Sequence, residues 1–299
     1  MTPLVILGCG YVGTRLARAA LAQGRRVRVA SRSTGRLQPL AGEGAEVKFL
    51  DAGNPKHFTS VLNSVHGATV VYSIPPVTSL PPRFAMRAAL QAAYGAGIDR
   101  FIYFSSCGLY GDEPDDDTWI DEDTPTHPDH AMENIVSDET EIAASTFERL
   151  RPVRLRLAPV YGPGRGVRER MRKGTYKILD DGQHVTSRIH VDDVASVVFA
   201  AEDRAPPQSI YLVGDDEPTT QGEYARWLSS RLGLPTPPSR PIVDPAAGRA
   251  AHRNRKIRNA RMKTELGVTL KYPSFREGEA AIEAELGETP ADQGGGKNE

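Results

Sequence analysis

At 299 residues the chain is long for one small domain and short for two large ones, which predicts one large domain carrying a smaller appendage. Hydrophobic residues at 39% and charged residues at 25% exclude a disordered or fibrous chain, and a formal net charge of −1 excludes whole-molecule attraction to nucleic acid or an anionic membrane. Two cysteines, Cys9 and Cys107, exclude a disulfide framework, and no run approaches a secretory leader or the ~20 apolar residues of a membrane span, so a cytoplasmic protein is expected.

In chain order, residues 3–7 predict a strand and 11–23 a helix with Leu16, Ala17, Ala20 and Leu21 on one face, stopped by Gly24. Strands follow at 26–30, 45–50 and 68–72, a helix at 82–96, a strand at 100–104, a long helix at 129–150 and a strand at 153–157. Beyond this the pattern loosens. A glycine-rich turn at 161–164 precedes a basic helix at 167–173, a strand at 210–213 and a helix at 221–232; residues 234–245 form a proline-rich connector, and small helices are expected at 257–267 and 275–286. Strands alternating with helical patterns predict an α/β fold: a doubly wound parallel sheet with a smaller C-terminal α/β substrate domain. The expected division is a core over 1–165 completed by about 186–215, a substrate-binding part over 166–185 and 216–287, and a disordered tail over 288–299.

The first strand runs into Gly8-Cys9-Gly10-Tyr11-Val12-Gly13 and a helix, the context in which G-x-G-x-x-G binds a dinucleotide. Gly8 permits the turn, Gly10 lets the backbone approach a pyrophosphate, Gly13 lets helix and strand pack closely, and the helix N-terminus offers free amides. This is a Rossmann loop. Where an NAD site carries an acidic residue, this chain has Ser31-Arg32-Ser33, with Arg36 nearby. A carboxylate there repels a 2′-phosphate and an arginine pairs with it, so NADP is expected over NAD.

GCGYVG, Asp51, FSSCGLYG at 104–111, LRLAPVYGPGR at 155–165 and RIHVDDVA at 188–195 together resemble the extended and atypical short-chain dehydrogenase/reductases, the NAD(P)-dependent epimerase/dehydratase family, from about residue 3 to 286. The resemblance implies that Asp51 contacts adenine. It places Ser73, Ile74 and Pro75 along the cofactor, Ser105 and Ser106 beside the nicotinamide, Pro159 and Val160 near its amide, and Arg188, His190 and Asp192 on the far wall with the substrate. It also implies a homodimer.

Redox members of that family use a serine or threonine with a Tyr-x-x-x-Lys pair, the lysine lowering the pKa of a tyrosine that is otherwise a poor base at neutral pH. Ser106 occupies the serine position, but residues 130–141 contain neither tyrosine nor lysine. Taking Glu141 as the family's mid-helix glutamate puts Glu133 at the tyrosine position and Ser137 at the lysine position. Glu133 can then act as acid/base, Tyr110 or Tyr161 can stand in, or the chain binds cofactor without hydride chemistry.

Residues 112–123 are strongly acidic and 249–263 strongly basic; separate solvated surfaces are favoured over mutual attraction or an anion-attracting cleft. Cys107 has no local base and reads as packing, and the seven histidines show no metal spacing. The function expected is an NADP-binding oxidoreductase or epimerase-like protein acting on a small polar or sugar-like molecule. A catalytically silent NADP-binding sensor is the alternative.

Overall fold

A computed structural model describes residues 1–111, 118–241 and 254–291. Seven parallel strands make the central sheet: β1 (Leu4–Leu7), β2 (Val27–Ser31), β3 (Glu46–Phe49), β4 (Thr69–Tyr72), β5 (Arg100–Ser106), β6 (Arg151–Leu157) and β7 (Ile210–Val213), in the order β7-β6-β5-β4-β1-β2-β3. This is the doubly wound α/β sheet that the alternating pattern predicts. β1 is fully buried and pairs with β2 on one side and β4 on the other, so the strand order reverses beside it. In such sheets a crevice opens beyond the strand C-termini at that reversal.

Helices cover both faces. On one, α1 (Tyr11–Ala22) presents Leu16, Ala17 and Ala20 to the sheet. It shares that face with α7 (Val191–Arg204) and α9 (Ala260–Leu266). On the other lie α3 (Pro55–Leu62), α4 (Phe84–Gly95) and α5 (Glu133–Ala144), burying Phe58, Met86, Ala89 and Ile142. A third apolar cluster joins α6 (Val167–Arg172), α8 (Gln221–Leu232) and α10 (Phe275–Leu286) through Met171, Tyr224, Leu228, Phe275 and Ile282. Between β2 and β3 the short α2 (Gln38–Gly42) buries Leu40.

Several boundaries differ from the sequence reading. The long helix expected over 129–150 is a 3₁₀ turn at His130–Met132 followed by α5, which stops at Ala144 because the Ser145 hydroxyl donates back to the Ile142 carbonyl at 2.6 Å and Ser145 is extended. α3 and α7 are additional helices. α7 is rich in valine, a strand former by propensity, yet Val191, Val194, Val197 and Val198 fall on one buried helical face. The helix expected from 257 begins at Ala260, because Lys256–Ile257 pairs in parallel with Trp119–Ile120. Thus the described parts of the acidic and basic stretches are joined rather than separately solvated. Ile120 and Ile257 are buried together, Arg258 N–H donates to the Ile120 carbonyl at 2.8 Å, and Arg261 donates to Asp123 at 2.7 Å. Residues 112–117 and 249–253 of those stretches lie outside the described residues. Of the tail, 292–299 lie outside them too, and Glu288 is tied down by Arg168 and Arg172.

Candidate functional site

A cleft of about 660 Å³ opens at the strand-order reversal, lined by Gly8, Gly10, Tyr11, Ser31, Arg32, Ser33, Arg36, Asp51, Ile74 and Pro75 among others. Gly8 has φ +86°, and a Cβ there would lie 2.6 Å from the Ile74 main-chain nitrogen, so the loop needs glycine twice over. A Cβ at Gly10 meets nothing closer than 4.0 Å, which leaves its cleft side open. Gly13 packs against Ile6 instead, a Cβ there lying 3.1 Å from Ile6 Cγ2. The first turn of α1 has no side-chain cap, so its amides remain available to an anion. Arg32 and Arg36 are exposed at the cleft rim, and neither makes an ion pair among the described residues. An uncapped turn, a cradle that admits no side chain and two unpaired guanidiniums fit a phosphorylated dinucleotide. Gly8→Ala is expected to cost about 1–3 kcal/mol in backbone strain alone and to abolish micromolar NADPH binding, read by calorimetry.

Not all sequence-predicted contacts line this cleft. Val12 and Gly13 belong to α1, and the Ser73 N–H donates to the Leu7 carbonyl. Ser105 is buried, its hydroxyl donating to Glu139 Oε1 at 2.5 Å. Pro159 and Val160 line a second cavity of about 590 Å³ together with Tyr161, Arg170, Tyr176, Lys177, His184, Arg188, Gln221, Tyr224, Arg240 and Arg255. Tyr11 lines the first cleft, and its hydroxyl donates at 3.1 Å to the carbonyl of Pro163, which lies between Tyr161 and Gly166 of the second cavity's lining.

The second cavity is basic. Arg188 is 5% exposed, lies over Tyr224 at 4.3 Å, and keeps a buried Nη1 without a hydrogen-bond partner. His190 does not line the cavity. Its Nδ1 accepts the Asp192 N–H at 3.3 Å and caps α7, its ring packs edge-on to Tyr272 at 4.2 Å, and burial pushes it down to about 4, so it is neutral at pH 7.

The three candidate catalytic side chains occupy different settings. Ser106 is half-buried at the end of β5, and its Oγ accepts the Gly108 N–H at 2.9 Å; its own proton stays free to donate. Tyr110 is fully buried, its oxygen accepts from Arg156 at 2.7 Å, and burial, against Arg156, pushes it up to about 12. Glu133 is exposed at the start of α5 and pairs with His130 at 2.7 Å. The helix glutamate that is buried is Glu139, which accepts from Nε and Nη2 of Arg156; Glu141 faces Arg87 near the surface. Counted from Glu139 at the same spacing, the tyrosine and lysine positions become Ala131 and Ile135, and on neither count is there a tyrosine or lysine.

The residues that sequence reasoning missed are mostly those of the second cavity, because they come from four separate segments. Arg170 was visible only as part of a basic helix and Arg240 only as part of a proline-rich connector. Asp215 gave no signal. It is 1% exposed, with neither carboxylate oxygen in a well-formed hydrogen bond.

The model of the NAD dependent epimerase/dehydratase family matches residues 4–214. A curated Streptomyces protein described as a 3-diazoavenalumate denitrifying reductase is 27% identical over 93% of this chain and 99% of its own length. Two solved structures superpose over nearly the whole chain. A functionally unknown conserved protein from Silicibacter pomeroyi is 32% identical, covering 95% of this chain and 99% of that one, with a TM-score of 0.79. A putative NAD-dependent epimerase/dehydratase from Methylobacillus flagellatus is 29% identical over 96% and 99%, with a TM-score of 0.75.

Proposed function

We propose that this chain, which belongs to the NAD dependent epimerase/dehydratase family, is an NADP-dependent reductase acting on a small, anionic, electron-poor molecule. The observation that carries the reading is a glycine-lined cleft, with arginines at its rim that make no ion pair among the described residues, together with a basic pocket next to the 161–166 loop that Tyr11 contacts through the Pro163 carbonyl. Gly8, Gly10 and the α1 amides would hold the pyrophosphate, Arg32 and Arg36 the 2′-phosphate, and Asp51 the adenosine end. Pro159 and Val160 would form the border toward the substrate. Reduced nicotinamide supplies a hydride.

The chain's own groups fit reduction better than alcohol oxidation. Removing an alcohol proton needs a base. Tyr110, pushed up to about 12 and tied to Arg156, is a poor one at pH 7, while Glu133 lies solvated beside His130. An acceptor that is already electron-poor does not depend on a tyrosine proton. For it, Ser106, whose Oγ accepts the Gly108 N–H, would donate its own proton to orient the substrate, and Arg188, which lines the basic pocket, would hold the anionic group. The Streptomyces relative's description as a reductase supports the same direction.

The test is NADPH consumption at 340 nm across two panels: unsaturated, quinonoid or diazonium carboxylates, and sugar nucleotides. Turnover confined to the first, with kcat at least tenfold lower in Ser106→Ala, is the expected result. Turnover of sugar nucleotides alone overturns the substrate class. Micromolar NADPH binding without any turnover instead supports a cofactor-binding sensor.

A further inference from the structure

We propose that Asp215 is a proton-linked counter-charge for Arg188, so that the basic pocket takes up a proton together with its anionic ligand. The inference rests on reading that pocket as an anion site.

The two residues lie on adjacent segments, joined where the Asp215 N–H donates to the Arg188 carbonyl at 2.7 Å. Both side chains are buried, and each carries orphaned polar atoms: Arg188 Nη1, and both Asp215 oxygens. A buried guanidinium needs a negative partner, and a buried carboxylate needs a positive one or a proton. Arg170, Lys177, His184, Arg240 and Arg255 line the same pocket as Arg188, and several acids nearby already have partners. On the Asp215 loop, Asp216 pairs with Lys263 and Glu217 with Arg276; from α10, Glu279 is held by Arg168 and Tyr224. Tyr161, after β6, donates to the Ser274 carbonyl. From the segment before α9, Asn259 donates to the Gly214 carbonyl and to Asp216, while Arg258 shares a small cavity with Asp215. Arg188 therefore has two candidate counter-charges, Asp215 and whatever anion enters the 590 Å³ pocket.

These two compete. Burial pushes Asp215 up to about 8, with Arg188 pulling the other way, so near neutrality the acid is largely protonated and Arg188 is available. As pH rises through that value Asp215 ionises and its charge offsets that of the neighbouring guanidinium. An anion bound beside Arg188 must expel that negative charge, which it does by driving a proton onto Asp215.

Inorganic sulfate, which does not titrate between pH 6 and 9.5, is the probe. It is titrated calorimetrically into NADPH-saturated protein, so that the phosphate loop is already filled. The expected result is a Kd constant up to about pH 7.5 and about tenfold weaker by pH 9, with proton uptake revealed by buffers of different ionisation enthalpy. Asp215→Asn should abolish both the slope and the uptake. A pH-independent wild-type Kd without proton uptake overturns the linkage and leaves the anion site standing; so does an Asp215→Asn slope equal to wild type. Should Asp215→Asn fail to fold, Asp215→Ser takes its place in the same titration, because Lys177 and His184 of the pocket could also take up protons. Absence of sulfate binding at every pH, or wild-type affinity in Arg188→Gln, overturns the anion site and the linkage with it.

Discussion

Replacing Arg32 and Arg36 with alanine is expected to weaken NADPH binding by about 100-fold while leaving NADH within about threefold. The two guanidiniums stand at the rim of the glycine-lined cleft, exposed and without an ion pair among the described residues. Neither is engaged in holding the fold, so their removal should leave thermal stability within about 0.5 kcal/mol. A 2′-phosphate paired with two arginines makes charge-assisted hydrogen bonds worth about 1.5–3 kcal/mol each against water, and about 2.7 kcal/mol corresponds to 100-fold. NADH has no 2′-phosphate and loses only stacking against Arg32. Calorimetric titration of both cofactors into both proteins checks this. Equal losses for NADPH and NADH would mean that the arginines do not read the phosphate.

The second large effect is structural. Arg168→Ala is expected to destabilise the protein by about 3–5 kcal/mol, lowering Tm by on the order of 10 °C. Arg168 is 2% exposed and binds three carboxylates of the C-terminal segment: Glu279 at 2.6 Å, Glu283 at 2.8 Å and Glu288 at 3.0 Å. Its removal strands Glu279, which is 1% exposed, without its cationic partner. Burial works against the charge of Glu283, yet Arg231 and Arg168 more than offset it and hold that carboxyl below the usual range. A depressed carboxylate contributes stability above its ordinary titration range and loses it as pH falls, so the docking of α10 should weaken below about pH 4.5. Differential scanning calorimetry of Arg168→Ala against Arg168→Met/Glu279→Gln separates lost packing from stranded charge, and the double variant should recover part of the loss. A single variant within 1 kcal/mol of wild type would contradict the account.

What the sequence made legible follows from how locally each feature is determined. Gly8 was readable because a φ of +86° and a 2.6 Å approach to Ile74 allow only glycine, and its neighbours fix the strand–turn–helix context. The arginines after β2 were readable because the cofactor site sets their distance along the chain. α7 was not, because the strand propensity of valine competes with a helical face that only the sheet reveals. The registration of α5 depends on a tertiary ion pair: the choice between Glu139 and Glu141 is made by Arg156 across the core and by Arg87 at the surface. The joining of the acidic and basic stretches is likewise non-local, since it rests on burying Ile120 against Ile257. Of the second cavity's arginines the resemblance pointed to Arg188; Arg170, Arg240 and Arg255 join it from segments with no mutual spacing, so the sequence showed their charges and not their convergence. Asp215 and Asp216 are adjacent acids with no local feature that distinguishes them. Only burial separates Asp215 from Asp216, which reaches Lys263.

The central claim, that the glycine-lined cleft is an NADPH site, is tested most directly by titrating NADPH and NADH separately into the unaltered protein and comparing the two dissociation constants. Binding of NADPH at micromolar Kd, at least tenfold tighter than NADH, is the predicted result. Equal affinities, or tighter NADH, would contradict it.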